Sequence, residues 1–291
     1  MSIGILTDST ADLSEDLKKK HNIHTIPLSV HFEDEVYTDG VDINPDLFFK
    51  KIKKADNLPG TSRPPVSAFK KKYREMADKY DKIVSLHVSD NLSGTLDAAR
   101  MAARELNNID IYTVDSSSIS LGLGFLVIMT SELLQKGKDI AEIKDKIKKA
   151  KENLLLFFTV NDLSYMEKGG RIGKARSFLG SILNINPIIS ISTKTGRVEP
   201  LDKTRGQKRT LKKMVSLARK RLKNAETAWL GFAHGERAKD MAQFRDKVVE
   251  LCQNEFDIDH KVFETRISPT LGCHVGPSVY AGMIFTTDFF D

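Results

Sequence analysis

Through the first half of the chain, short apolar runs alternate with stretches whose apolar residues recur at helical spacing. Runs at Ile3–Thr7, Thr25–His31, Lys82–Val88 and Asp110–Val114 read as strands. Between and after them, helices are predicted at Asp12–Lys20, Pro45–Lys54, Pro65–Lys79, Gly94–Leu106, Ser120–Gln135 and Ile140–Lys151. Pro45 and Pro65 stand at first-turn positions, where a missing N–H costs nothing. The alternation predicts βα units around a mostly parallel sheet, an N-terminal α/β/α domain over residues 1–155.

The second half reads differently. Strand-like runs at Leu154–Thr159, Pro187–Ser192, Gly196–Glu199, Thr227–Ala233, Lys261–Thr265 and Val279–Phe285 surround two long basic helices, Gly206–Lys223 and Arg237–Asn254. The close pair flanking Lys194-Thr195-Gly196 predicts a hairpin. A C-terminal two-layer α/β domain over residues 156–291 follows, with a mixed or antiparallel sheet and helices packed on one face. No repeat or low-complexity linker separates the halves, so the two are expected to pack directly on each other.

A length of 291 residues supports a buried core, and 40% apolar with 29% charged residues is ordinary for a globular protein. No apolar run is long enough to span a membrane and no secretory leader is recognised, so a cytoplasmic location is expected. Two cysteines, Cys252 and Cys273, make no disulfide framework or zinc cluster, and the seven histidines lack ligand spacing, so no metal is expected. A net charge of +6 raises the question of nucleic acid. The lysines, however, fall in short runs on helical segments, where a solvated face explains them, and no base-stacking cluster accompanies them.

Four segments concentrate hydroxyls and glycine where strands hand over to helices, the place where open parallel sheets bind ligands. They are Thr7-Asp8-Ser9-Thr10, Gly60-Thr61-Ser62-Arg63-Pro64-Pro65, Ser89 to Thr95, and Val114-Asp115-Ser116-Ser117. Thr61 to Arg63 and Ser93 to Thr95 have the make-up of helix-start anion sites, with plain N-capping as the simpler explanation for each. Asp8 and Asp115 read as loop-organising carboxylates. Gly122-Leu-Gly124 lacks the third glycine of a dinucleotide fingerprint and sits in an apolar helical run, so packing explains it better. No Walker-type loop or nucleophile elbow occurs.

Six segments in order along the chain complete a pattern. They are Thr7-Asp8-Ser9-Thr10, Thr61-Ser62 before Pro64, Leu92-Ser93-Gly94-Thr95, Val114-Asp115-Ser116, Lys168-Gly169-Gly170-Arg171-Ile172, and Gly272-Cys273-His274-Val275-Gly276-Pro277. Together they resemble the DegV family, fatty-acid-binding subunits of bacterial fatty acid kinases. The resemblance implies a two-domain α/β fold with an acyl chain in a buried tunnel and its carboxylate near the domain junction. At the matching positions, Thr61 and Ser93 would donate hydrogen bonds to the carboxylate, with Ser62, Gly94 and His274 completing the polar end. Arg63, where the family pattern commonly has glutamine, and Thr95 are additional head-group candidates. Arg171 and Arg205 match family positions that resemble contacts with the kinase. The resemblance further implies a binding protein rather than an enzyme, no cofactor besides the lipid, and a separate ATP-dependent kinase subunit that makes an acyl phosphate for phospholipid synthesis. Transient membrane contact for acyl exchange fits this role. The alternative is an α/β phosphotransferase or small-molecule kinase subunit that uses Ser93-Gly94-Thr95 for phosphate. The missing Walker motif and acidic magnesium cluster count against it.

Overall fold

The computed structural model describes residues 2–178 and 185–290. Strands from the first half are β1 (Ile3–Asp8), β2 (Ile23–Ile26), β3 (Ser29–Phe32), β4 (Glu35–Thr38), β5 (Gly60–Ser62), β6 (Lys82–His87) and β7 (Asp110–Asp115). The second half supplies β8 (Leu154–Thr159), β9 (Asn186–Ile191), β10 (Val198–Thr204), β11 (Thr227–His234), β12 (Asp259–Arg266) and β13 (Tyr280–Thr286). The first helices are α1 (Glu15–Lys20), α2 (Pro45–Ile52), α3 (Val66–Ala77), α4 (Thr95–Arg104) and α5 (Ser120–Gln135). After them come α6 (Ile140–Glu152), α7 (Ser164–Lys168), α8 (Gln207–Leu222), α9 (Ala238–Glu250) and α10 (Pro269–Val275).

The fold is α/β, as the hydrophobic pattern predicts. Strands β2-β1-β6-β7 form a parallel sheet in that order. Alternation along β1 sends neighbouring side chains to opposite faces. Leu6 joins Phe69, Tyr73 and Met76 of α3 and Ala98 and Ala102 of α4, while Ile5 joins the larger core that includes α5. Strands β10-β9-β8-β13-β11-β12 form the second sheet, antiparallel except for the β11–β12 pair. The expected hairpin is β9–β10, turning at Gly196 with φ +63°.

Helix α5 lies between the two sheets. It touches β1 and β6 of the parallel sheet and β8, β11 and β13 of the mixed one. That position explains its sequence, apolar all round, since a helix with no solvent face needs no polar stripe. The mixed sheet carries α8 and α9 on its other face, where Met214, Ala218 and Leu222 meet Phe232, Phe244 and Val248.

Two local expectations change. The run Thr25–His31 is broken at Pro27, which has no N–H for the ladder, and the chain leaves β2 to start β3. β3 pairs antiparallel with both β4 and β5 in a small third sheet of order β4-β3-β5. Thr61 and Ser62 therefore lie on β5, not at a helix start; α3 begins at Val66, after the two prolines that cannot donate to a ladder. His274 lies on α10, with Pro269 at its first turn and Gly276 ending it.

Candidate functional site

A slender cavity runs between the carboxyl ends of the parallel strands and the mixed sheet. It offers about 860 Å³ of atom-free space, part of it open to solvent. Its wall comes from many elements because strand alternation turns one residue in two towards it. Leu156 and Phe158 of β8 and Ala281 and Met283 of β13 face the cavity, whereas Phe157 between them joins the core under α8 and α9. Phe125 and Met129 of α5 pack in the core and do not line it. On α10, Thr270, Leu271, His274 and Val275 line it together, the one-face spacing of a helix.

The polar side chains Thr61, Ser93, Arg171 and His274 gather on this wall. Thr61 and Ser93 are half-buried and Arg171 is exposed, so this end reaches the surface. Thr61 Oγ1 lies 2.9 Å from His274 Nε2. Burial, reinforced by the Arg171 charge, pushes the His274 imidazole down to about 4, so the ring is neutral at neutral pH. With its proton on Nε2, the ring donates to Thr61 and leaves the threonine hydroxyl free to donate onward. Ser93 has a similar backer: its Oγ lies 2.8 Å from Thr95 Oγ1, and it accepts from the Thr95 N–H at 3.3 Å. Two hydroxyl donors thus converge, each with a second donor behind it, beside a guanidinium.

Arg171 donates from Nε to the Leu92 carbonyl (3.1 Å) and from Nη1 to the Gly169 carbonyl (2.8 Å). It ties the segment carrying Ser93 to the glycine turn that abuts His274. At Gly169 a Cβ would stand 2.6 Å from His274 Nδ1, so only glycine lets the turn approach the ring. Gly276 follows at φ +71°, where an added Cβ would meet the Tyr165 ring at 2.7 Å. Gly276→Ala is expected to destabilise by about 1–3 kcal/mol, read as a lowered Tm.

The structure brings Thr61, Ser93 and His274 together, adds Arg171 to the cavity wall, and separates the other predicted residues from it. Ser62 is the neighbour of Thr61 on a strand, so it points the opposite way, is exposed, and bonds His31 Nε2 at 2.7 Å. Gly94 forms the N-cap of α4. Arg63 turns away from the cavity to donate from Nη1 to the Gly94 carbonyl (2.8 Å), joining β5 to that cap. Thr95 is fully buried behind Ser93. Arg205 is exposed in the turn between β10 and α8, away from the cavity wall. Asp8 and Asp115 organise loops as expected: Asp8 accepts from the Val88 and Thr10 N–H groups, and Asp115 from those of Ser117 and Asp90. Behind Asp8 runs a buried chain that sequence reasoning missed, from His87 through Ser85 to Tyr73. Asp8 stands 79 residues from His87 and Tyr73 stands 12 from Ser85, so no local pattern marks the chain.

Residues 2–287 match the family described as uncharacterised DegV proteins, COG1307. The chain belongs to the DegV family. Among its relatives, a DegV domain-containing protein of Clostridium acetobutylicum is 33% identical over 279 residues, covering 95% of this chain and 96% of the other. The DegV protein of Bacillus subtilis is 29% identical over 277 residues, with coverage of 95% and 96%. Among solved structures, a DegV protein from Thermus thermophilus described by its fatty acid binding superposes with a TM-score of 0.92 at 29% identity, covering 98% of this chain and 100% of that one. DegV of Bacillus subtilis, described as a fatty acid binding protein, gives 0.87 at 28%, with coverage of 98% and 99%. Among the described residues, no helix of this DegV protein is long and apolar enough to cross a membrane, and no group of His, Cys, Asp and Glu could hold a metal.

Proposed function

We propose that this DegV protein binds a long-chain fatty acid in the cavity and presents its carboxylate, at Thr61, Ser93 and His274, to a separate ATP-dependent kinase that forms the acyl phosphate. The observation that carries this is a largely apolar cavity whose surface-reaching end gathers Thr61, Ser93, Arg171 and His274. Fatty-acid binding by the Thermus and Bacillus relatives supports it. On this proposal the chain divides near residue 155 into two domains with the lipid at their junction, and the protein is a carrier, not an enzyme.

The chemistry of each end fits its task. Burying about 15 methylenes at roughly 0.8 kcal/mol each gives a gross gain of about 12 kcal/mol, before ordering costs, so the tail can supply the affinity. The head must stay reactive. Neutral hydroxyls hold a carboxylate oxygen less tightly than a bidentate guanidinium would, and Arg171 already gives two of its donors to backbone carbonyls. The phosphotransferase alternative draws no support from this arrangement, since the wall beyond Ser93 is mostly apolar, with Leu156, Phe158, Ile191 and Met283 among its residues.

Mass spectrometry of the purified chain, native and then after organic extraction, tests the carrier role. One fatty acid per chain is expected. Thr61→Val and Ser93→Ala are each expected to weaken fatty-acid binding about tenfold, the weight of a hydrogen bond to a charged group. An empty chain that refuses added fatty acid sinks the proposal. For the kinase, Arg205→Glu is expected to lower acyl-phosphate formation without changing lipid affinity, whereas Arg171→Glu should lower both because it also lines the cavity. Unchanged coupling in Arg205→Glu removes that residue from the interface.

A further inference from the structure

Away from its polar mouth, the cavity wall carries three more hydroxyls, on Thr10, Ser120 and Thr270, which are 2%, 6% and 3% exposed. They come from the turn after β1, the start of α5 and the start of α10, segments that converge on Asp12. Asp12 Oδ2 accepts from Ser120 Oγ at 2.6 Å, and its Oδ1 accepts from the Ser268 N–H at 3.0 Å. Each wall hydroxyl has a buried carboxylate behind it. Thr10 Oγ1 donates to Asp8 Oδ1 at 2.5 Å. Ser120 donates to Asp12. Thr270 stands beside Asp39, and its Oγ1 has no hydrogen-bond partner of good geometry.

A wall meant only for hydrocarbon needs no such group, since burying hydroxyls and then satisfying them with buried carboxylates costs more than alanine or valine would. A serine or threonine that gives its proton to a carboxylate keeps its lone pairs, and is a stronger acceptor for it. We propose that Thr10, Ser120 and Thr270 form a subsite for a hydroxyl group carried on the acyl chain. This rests on the fatty-acid reading of the cavity and adds a substrate class to it, hydroxylated long-chain acids. The position follows from α10. Thr270 precedes His274 by four residues, about 6 Å at 1.5 Å per residue, so the subsite lies a few carbons below the carboxylate.

The test is calorimetric titration of the delipidated full chain with hexadecanoic acid, 5-hydroxyhexadecanoic acid and 12-hydroxyhexadecanoic acid. The 5-hydroxy acid is expected to bind within about threefold of the unsubstituted acid, and the 12-hydroxy acid at least tenfold more weakly, because its hydroxyl is buried without a partner. In Ser120→Ala and in Thr270→Val, the ratio of 5-hydroxy to unsubstituted affinity is expected to fall about tenfold. Two variants on different segments guard against one that fails to fold. Equal penalties for both hydroxy acids in the unaltered protein, or a ratio that neither variant moves, overturns the subsite while leaving the carrier role standing. If none of the three acids binds, the carrier role itself fails and the subsite with it.

Discussion

In an Ala281→Phe protein, fatty-acid binding is expected to fall by two orders of magnitude or more while Tm holds or rises. Ala281 lies on β13 opposite Ala233 of β11 and Phe158 of β8, is 7% exposed, and faces the cavity. Neighbouring strands close both sides of the site, so a phenyl ring built there projects into the cavity. Excluding even four methylenes of the ligand removes about 3 kcal/mol at roughly 0.8 kcal/mol each, a factor of about 150. The same ring buries apolar surface in empty space, which offsets the strain of insertion in the free protein. A head-group variant such as Thr61→Val should show a smaller loss, because it removes one hydrogen bond from a ligand held mainly by its tail. The measurement is the amount of extractable fatty acid per chain, set beside the melting curve. Full occupancy in Ala281→Phe would place the acyl chain somewhere other than this cavity.

The contrast between wall and head group also marks what could be read from the chain alone. The parallel sheet, the hairpin and the buried helix α5 were legible because each depends on local periodicity, and α5 announced its burial by having no polar stripe. Ser93 was legible as a candidate because it precedes a helix start, and it lines the cavity. Thr61 was found by resemblance but set in the wrong surroundings: periodicity cannot see a three-residue strand, and without β5 nothing said that Ser62 must point away. α10 carried its own signals, Ser268-Pro269 at one end and Gly276 at the other, yet its 7 residues, with Gly272 inside, are too few to show helical periodicity. Gly272 is there because an added Cβ would collide with the Phe48 ring. The convergence of Thr10, Ser120 and Thr270 on Asp8, Asp12 and Asp39 was out of reach, since Asp12 and Ser268 are separated by most of the chain and neither position has a periodic signature.

Asp12 makes that convergence measurable, because the effect of Asp12→Asn on stability is expected to depend on pH. Burial pushes the Asp12 carboxyl up from 3.8 to about 7, outweighing the hydrogen bonds from Ser120 and Ser268 that favour its ionised form. Between those two values the folded protein holds a proton that the unfolded chain has released. The contribution to stability is therefore fully present below about pH 4 and is lost as pH rises through 7, by at most about 4 kcal/mol for three pKa units. Asp39, raised by burial to about 6, acts in the same direction and is untouched by the substitution. An asparagine still accepts from the Ser268 N–H and carries no charge to bury. At pH 8, Asp12→Asn is expected to melt several degrees above the unaltered protein, the gap closing as pH falls towards 5. Parallel melting curves across that range would mean that Asp12 is ionised at little cost. A carboxylate that weakens the fold at neutral pH and yet joins α5 and α10 at the cavity wall is the kind of cost that functional sites retain. Measuring hydroxy-acid affinity on the same variant links the two, because the proton that Asp12 accepts from Ser120 is the one that leaves the serine free to accept from a ligand.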